Sequence, residues 1–206
     1  MQDKDSIESV EKETFERVWK VAQELSTQER HFNSLQNSYR NMASGWLLAT
    51  FGGISFGLSH SLEIPLPREL LIAAIAIAGS CGIALLWVLD LLVYHRLLDA
   101  CFIEGLALEK RYPWLPPFRN NMMKTQEGHG VLFRTVGFYL APVVLLVLIA
   151  TAALTGWCIG HGWPFPAILI AAAGIIAAVM VVRLMRNKTE NTDTQRKRLA
   201  ARASAR

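Results

Sequence analysis

Apolar residues gather in four blocks along this chain, and nearly all the charge lies between and around them. The blocks run over about 42–59, 70–94, 135–159 and 165–182. Each is close to the ~20 apolar residues with which an α-helix crosses ~30 Å of hydrocarbon. Prolines punctuate them: Pro65 and Pro67 forbid continuation of the first block, and "WPFP", ending at Pro166, opens the fourth. Pro142 lies inside the third. Four near-uncharged blocks are too many for a chain of 206 residues to bury in a soluble core. The pattern predicts an all-α fold, a four-span transmembrane helical bundle covering 42–182.

Ahead of the first span the pattern changes to a heptad. Val18, Leu25, Phe32 and Tyr39 recur every seven residues, with Val21, Leu35 and Met42 as an intermediate seam broken by Gln28. Residues 1–41 therefore read as one long amphipathic, coiled-coil-like cytoplasmic helix that runs into the first span. Such a seam suits the chain's own middle connection, a neighbouring copy or a foreign partner.

The connection 95–134 begins as a helical continuation of the second span. Leu97, Leu98, Phe102, Leu106 and Leu108 are apolar against Asp99, Glu104, Glu109 and Lys110. It ends at Tyr112, because "PWLPP" cannot continue a helix. Tyr112, Trp114, Phe118 and Arg119 form an amphipathic cluster suited to lipid headgroups or to a docking partner. "NNMMKTQEGHG", from Asn120, reads as a turn back toward the membrane. The tail, 183–206, is polar and basic with no apolar face, and is expected to be disordered.

Charge then orients the bundle. Of 21 Lys and Arg, six lie in 1–41, six in 95–134 and eight in the tail; the outer connections hold only Arg68. By the positive-inside rule both termini and the middle connection face the cytoplasm, which places the chain in the cell inner membrane. The first forty residues have neither a basic n-region nor an apolar h-region, so the first span is expected to act as its own insertion signal. "NKT" at Asn187 has the form of a glycosylation sequon but falls on the inner side. The basic tail lacks interleaved aromatics, so lipid rather than nucleic acid is the expected surface. Three separated cysteines, Cys81, Cys101 and Cys158, imply neither a disulfide framework nor a zinc site.

Two patterns inside the spans carry functional content. Gly45, Ala49, Gly53 and Gly57 place small residues four apart, and Ala74, Ala78 and Gly82 do the same in the second span; Gly174 and Ala178 are a shorter case. Such stripes let backbones approach, within one subunit or between subunits. Asp90 is the one acidic residue within a span, a candidate ion pair or gating group close to His95 and Arg96. Broken helices with buried acids at midplane, as in ion-coupled transporters, are missing. No span contains histidine, and the serines have no base beside them, which argues against an enzyme. No metal or cofactor is expected; His95, His129, Glu104 and Glu109 have no ligand spacing.

Two functions fit. One is a self-associating, signal-responsive assembly that forms a pore or disturbs the bilayer. Its layout is similar to that of small multipass effectors in bacterial anti-phage defence, a similarity that assigns no residues. The other is a membrane scaffold that recruits a soluble cytoplasmic partner.

Overall fold

A computed structural model of the chain describes residues 2–59, 66–126 and 131–205. The described residues are almost entirely helical, with no strand among them. The helices are α1 (Gln2–Ser59), α2 (Arg68–Trp87), a π-helical stretch (Val88–Tyr94), α3 (His95–Arg111), α4 (Phe118–Gln126), α5 (Val131–Gly160) and α6 (Pro164–Ala205). Three are long and apolar enough to cross a membrane: the continuous rod Arg68–Arg111, then Thr135–Gly160 and Pro164–Lys188. At 44 residues this helix is about 66 Å long, twice the thickness of a bilayer's hydrocarbon. The C-terminal part of α1 is less apolar, because Gly, Ser and Thr punctuate it from Ser44 to Ser59.

The chain forms two compact units. The first comprises Met1–Gln36, Tyr94–His129 and Gln195–Arg206; the second comprises Asn37–Val93 and Gly130–Thr194.

In the second unit, α2 packs along α5. Ile72, Ala76, Ile83, Trp87 and Leu91 meet Val136, Tyr139, Val143, Leu146 and Ala150 in one apolar core, joined by Ala43 and Ile54 of α1 and Met185 of α6. The small residues decide how closely α1 approaches α2. A Cβ on Gly79 would strike Thr50, and one on Gly82 would strike the Trp46 indole. The small stripe of α1 divides: Gly53 and Gly57 lie against Ile75 and Leu71, whereas Gly45 has open space around it and Ala49 is exposed. Ala74 and Ala78 are also exposed, because the face of α2 that packs is Ala73, Ala76, Gly79 and Ser80. Between α5 and α6, Gly174 takes up the Thr151 side chain, and Ala178 is buried.

The turn from α5 to α6 follows from its glycine. Gly162 adopts φ +72°, and the amides of Gly162 and Trp163 donate to the carbonyls of Ile159 and Cys158 at 3.0 and 2.9 Å. This closes α5 with a Schellman motif, and Pro164 then opens α6 where no amide donor is needed.

Two segments differ from the sequence expectation. Residues 120–126, read as part of a turn, belong to α4, because Glu109 caps its N-terminus (below). Residues 183–205, expected to be disordered, continue α6. After Gly174 no Gly or Pro interrupts that helix, and Ala, Arg, Lys and Gln are good helix formers.

Candidate functional site

The deepest polar group in the second unit sits on the π-helical stretch. A π turn carries one more residue than an α turn, and such turns are often found at functional positions. Here the extra residue places two consecutive side chains, Asp90 and Leu91, against the core. Asp90 is fully buried, as is Tyr139 of α5. The Tyr139 hydroxyl donates to Asp90 Oδ2 at 2.8 Å, and Arg40 Nε of α1 donates to the same oxygen at 3.1 Å. Arg40 keeps 37% of its side chain exposed while Asp90 keeps none, so the cation reaches inward from the surface of the unit. Three helices thus converge on one carboxylate oxygen in an apolar surrounding. Each contact there is stronger than in water, and each lost contact is costlier.

The sequence singled out Asp90 and placed it near His95 and Arg96. The structure pairs it with Arg40 and Tyr139, while Arg96 is exposed. Neither the π turn nor Tyr139 left a signal in "WVLDLLVYH", which holds no Gly or Pro. Arg40 could have been found, since it lies two residues before the first apolar block and an acid in an apolar helix needs a cation.

The first unit is built around a buried cation. Arg119 is 7% exposed, and its guanidinium lies across Gly105 of α3, where a Cβ would collide with it. Its Nε donates to Glu29 of α1 at 2.7 Å, Nη1 to Glu109 of α3 at 3.4 Å and Nη2 to Ser26 at 3.4 Å. Glu109 also accepts from the backbone amides of Arg119 and Asn120 at 3.0 and 3.2 Å. A carboxylate at these first-turn amides satisfies donors that have no partner within the helix. Arg119 therefore fastens α1, α3 and α4 together, and it is not a headgroup anchor within the cluster the sequence grouped it with. Trp114 instead packs on Phe15 with centroids 4.5 Å apart, Tyr112 lies 6.1 Å from Trp114, and Phe118 is 70% exposed.

The heptad residues are covered, whereas Val21 and Met42 of the intermediate seam are exposed. Val18 is buried, and Leu25, Phe32 and Tyr39 are partly buried. Gln36 meets His95 at 3.3 Å, and the Cys101 thiol contacts Gln28 at 3.6 Å. Burial pushes that thiol up from its usual range, and the Glu29 carboxylate adds to the shift. His95 lies 3.8 Å from Asp99. Among the described residues no three His, Cys, Asp or Glu side chains gather as a metal site.

Between α1 and the segment 115–119 lies an open cleft of about 500 Å³. Trp19, Lys20, Gln23 and Arg30 form one wall; Leu115, Phe118 and Arg119 line the other.

Compared with family models, curated proteins and solved structures, the chain matches none.

Proposed function

We propose that this chain is a four-span, non-enzymatic inner-membrane protein that self-associates and is switched from the cytoplasm, opening or disrupting the bilayer in the manner of anti-phage effectors. Beside the three long apolar helices, 42–59 is the further span; it packs on α2 through Gly53, Gly57 and the Thr50–Gly79 contact. An even number of spans agrees with the distribution of Lys and Arg, which favours both termini on the inner side.

The observation that carries the reading is Asp90 on its π turn, bound by Arg40 and Tyr139. A π turn that reverts to α-helix moves the residues after it by one position, which is a rotation of about 100°. Here those residues begin at His95. The buried contacts to Asp90 oppose that change, so the cluster acts as a latch on the resting state. The spans offer ions no continuous polar path within one chain, so conduction follows release of the latch or forms between copies.

The test is dye release from liposomes holding the purified full chain. Wild type is expected to retain the dye, and Asp90→Asn or Arg40→Gln to leak it. If all three retain dye while the chain extracts from its native membrane with a soluble companion, the scaffold reading replaces this one.

A further inference from the structure

We propose that the Arg183 end of α6 binds an anionic phospholipid, with the lipid phosphate between Arg183 and Arg186 and an acyl chain along the exposed apolar stripe that leads to them. This goes beyond the proposed function and requires only that α6 crosses a membrane.

Along its apolar length α6 has two distinct faces. Ala167, Gly174, Ala178 and Met185 turn inward: Gly174 takes up the Thr151 side chain, and the other three are buried. On the other face Phe165, Leu169, Ala172, Ile176, Met180 and Arg183 recur three or four residues apart, and all are exposed. No charged residue lies between Pro164 and Val182. From Pro164 to Arg183 the helix rises roughly 29 Å, against ~30 Å of bilayer hydrocarbon. A span of that length brings Arg183 out at the depth of the lipid phosphates.

The charge there is uncompensated. Arg183 and Arg186 are exposed, and neither makes an ion pair or hydrogen bond among the described residues. The stretch 183–190 holds three cations and one carboxylate, Glu190, which pairs with neither arginine. Asp90, next to Leu91 of the core that Met185 joins, is fully buried and already held by Arg40. Arg183 and Arg186 stand three apart, so they are neighbours on one side of the helix. Two guanidinium groups so placed suit a phosphate, whose oxygens accept from both. Because α6 continues as helix past them, their spacing is set before a lipid arrives.

The headgroup decides which lipid fits. Phosphatidylcholine brings its own ammonium to its phosphate, whereas phosphatidylglycerol leaves the phosphate charge for the arginines. A bare phosphate would leave the stripe unused, and an uncharged lipid would leave the arginines unused.

The experiment is native mass spectrometry of the detergent-solubilised full chain, titrated with phosphatidylglycerol or phosphatidylcholine of the same acyl chains. Glycerol phosphate and a short single-stranded oligonucleotide serve as comparison. Wild type is expected to retain phosphatidylglycerol in preference to phosphatidylcholine. Arg183→Gln and Arg186→Gln should each weaken phosphatidylglycerol about fivefold, and together they should remove the preference. Both side chains are exposed, so these variants should keep the wild-type melting curve. Lys12→Gln, which removes an exposed charge from α1, should bind as wild type. The proposal is overturned if wild type binds the two lipids equally, or if the preference survives the double substitution. It is also overturned if Lys12→Gln weakens binding as much as Arg183→Gln, or if glycerol phosphate or the oligonucleotide binds as tightly as the lipid. The comparison of two lipids on wild type needs no variant, so misfolding cannot mask it. The readout is lipid retention, so its result stands whether or not Asp90→Asn releases dye.

Discussion

Asp90 receives both of its described contacts on one oxygen, so the two partners are coupled through a single atom. Removing the carboxylate charge in Asp90→Asn is expected to cost about 3 kcal/mol. That is the low end for a buried pair, because Arg40 is more than a third exposed and recovers solvation. Tyr139→Phe removes one neutral donor and should cost about 1 kcal/mol. Denaturant unfolding in micelles measures both, and the double variant should lose less than the two single losses together. In the first unit the equivalent residue is Gly105. Gly105→Ala drives a methyl into the Arg119 guanidinium and should destabilise by about 2 kcal/mol. Gly137→Ala in α5, where the added carbon meets nothing, should be neutral or slightly stabilising. A Gly105→Ala melting curve equal to wild type would show that Arg119 moves aside freely.

At the scale of elements, closeness of helices rests on where small residues actually point. Gly79 and Gly82 admit Thr50 and Trp46, so Gly79→Leu is expected to separate α1 from α2 and lower the midpoint of thermal unfolding. Gly45→Leu adds bulk to open space and should leave that midpoint unchanged. If copies of the chain associate along this side of α1, Gly45→Leu reduces the mass of the intact complex measured by native mass spectrometry. An unchanged mass would move the self-association surface elsewhere. The rod Arg68–Arg111 shows why one element can bear two roles: its α2 portion is apolar on every side, and after the π turn its α3 portion becomes amphipathic.

For the whole molecule, the proposed topology is checked by labelling single cysteines in intact cells with a membrane-impermeant maleimide. Lys12→Cys and Lys188→Cys should stay unlabelled, and Trp163→Cys should react. Labelling of Lys12→Cys but not Lys188→Cys would require an odd number of crossings, with residues 42–59 not spanning. The exposed apolar side chains of α6, among them Phe165, Ile168, Ile175 and Met180, have the character of a lipid-facing surface.

Much of this organisation was written in the local pattern of the chain. Runs of apolar residues define spans because hydrocarbon offers no partner to a backbone outside a helix, so length and polarity alone suffice. Along the heptad Val18 is buried and Leu25, Phe32 and Tyr39 are partly buried, but Val21 and Met42 of the intermediate seam are exposed. The fate of the small residues was not legible in the same way: Gly45, Ala49, Gly53 and Gly57 look equivalent in sequence, and only the crossing of α1 with α2 separates the two that pack from the two that do not. The same holds for charge. Asp90 could be flagged by its cost in an apolar helix, but its partners lie 50 and 49 positions away in the chain. Arg119 was grouped with nearby aromatics, whereas its partners come from Glu29 and Glu109 on other helices. Local sequence determines which long apolar runs are helical, because that depends on neighbours a few residues apart, whereas α4 takes its N-terminal cap from Glu109 of another helix. Which charges meet, where the helix takes up a π turn and how the cleft is walled depend on contacts between distant segments, and only the tertiary structure decided them.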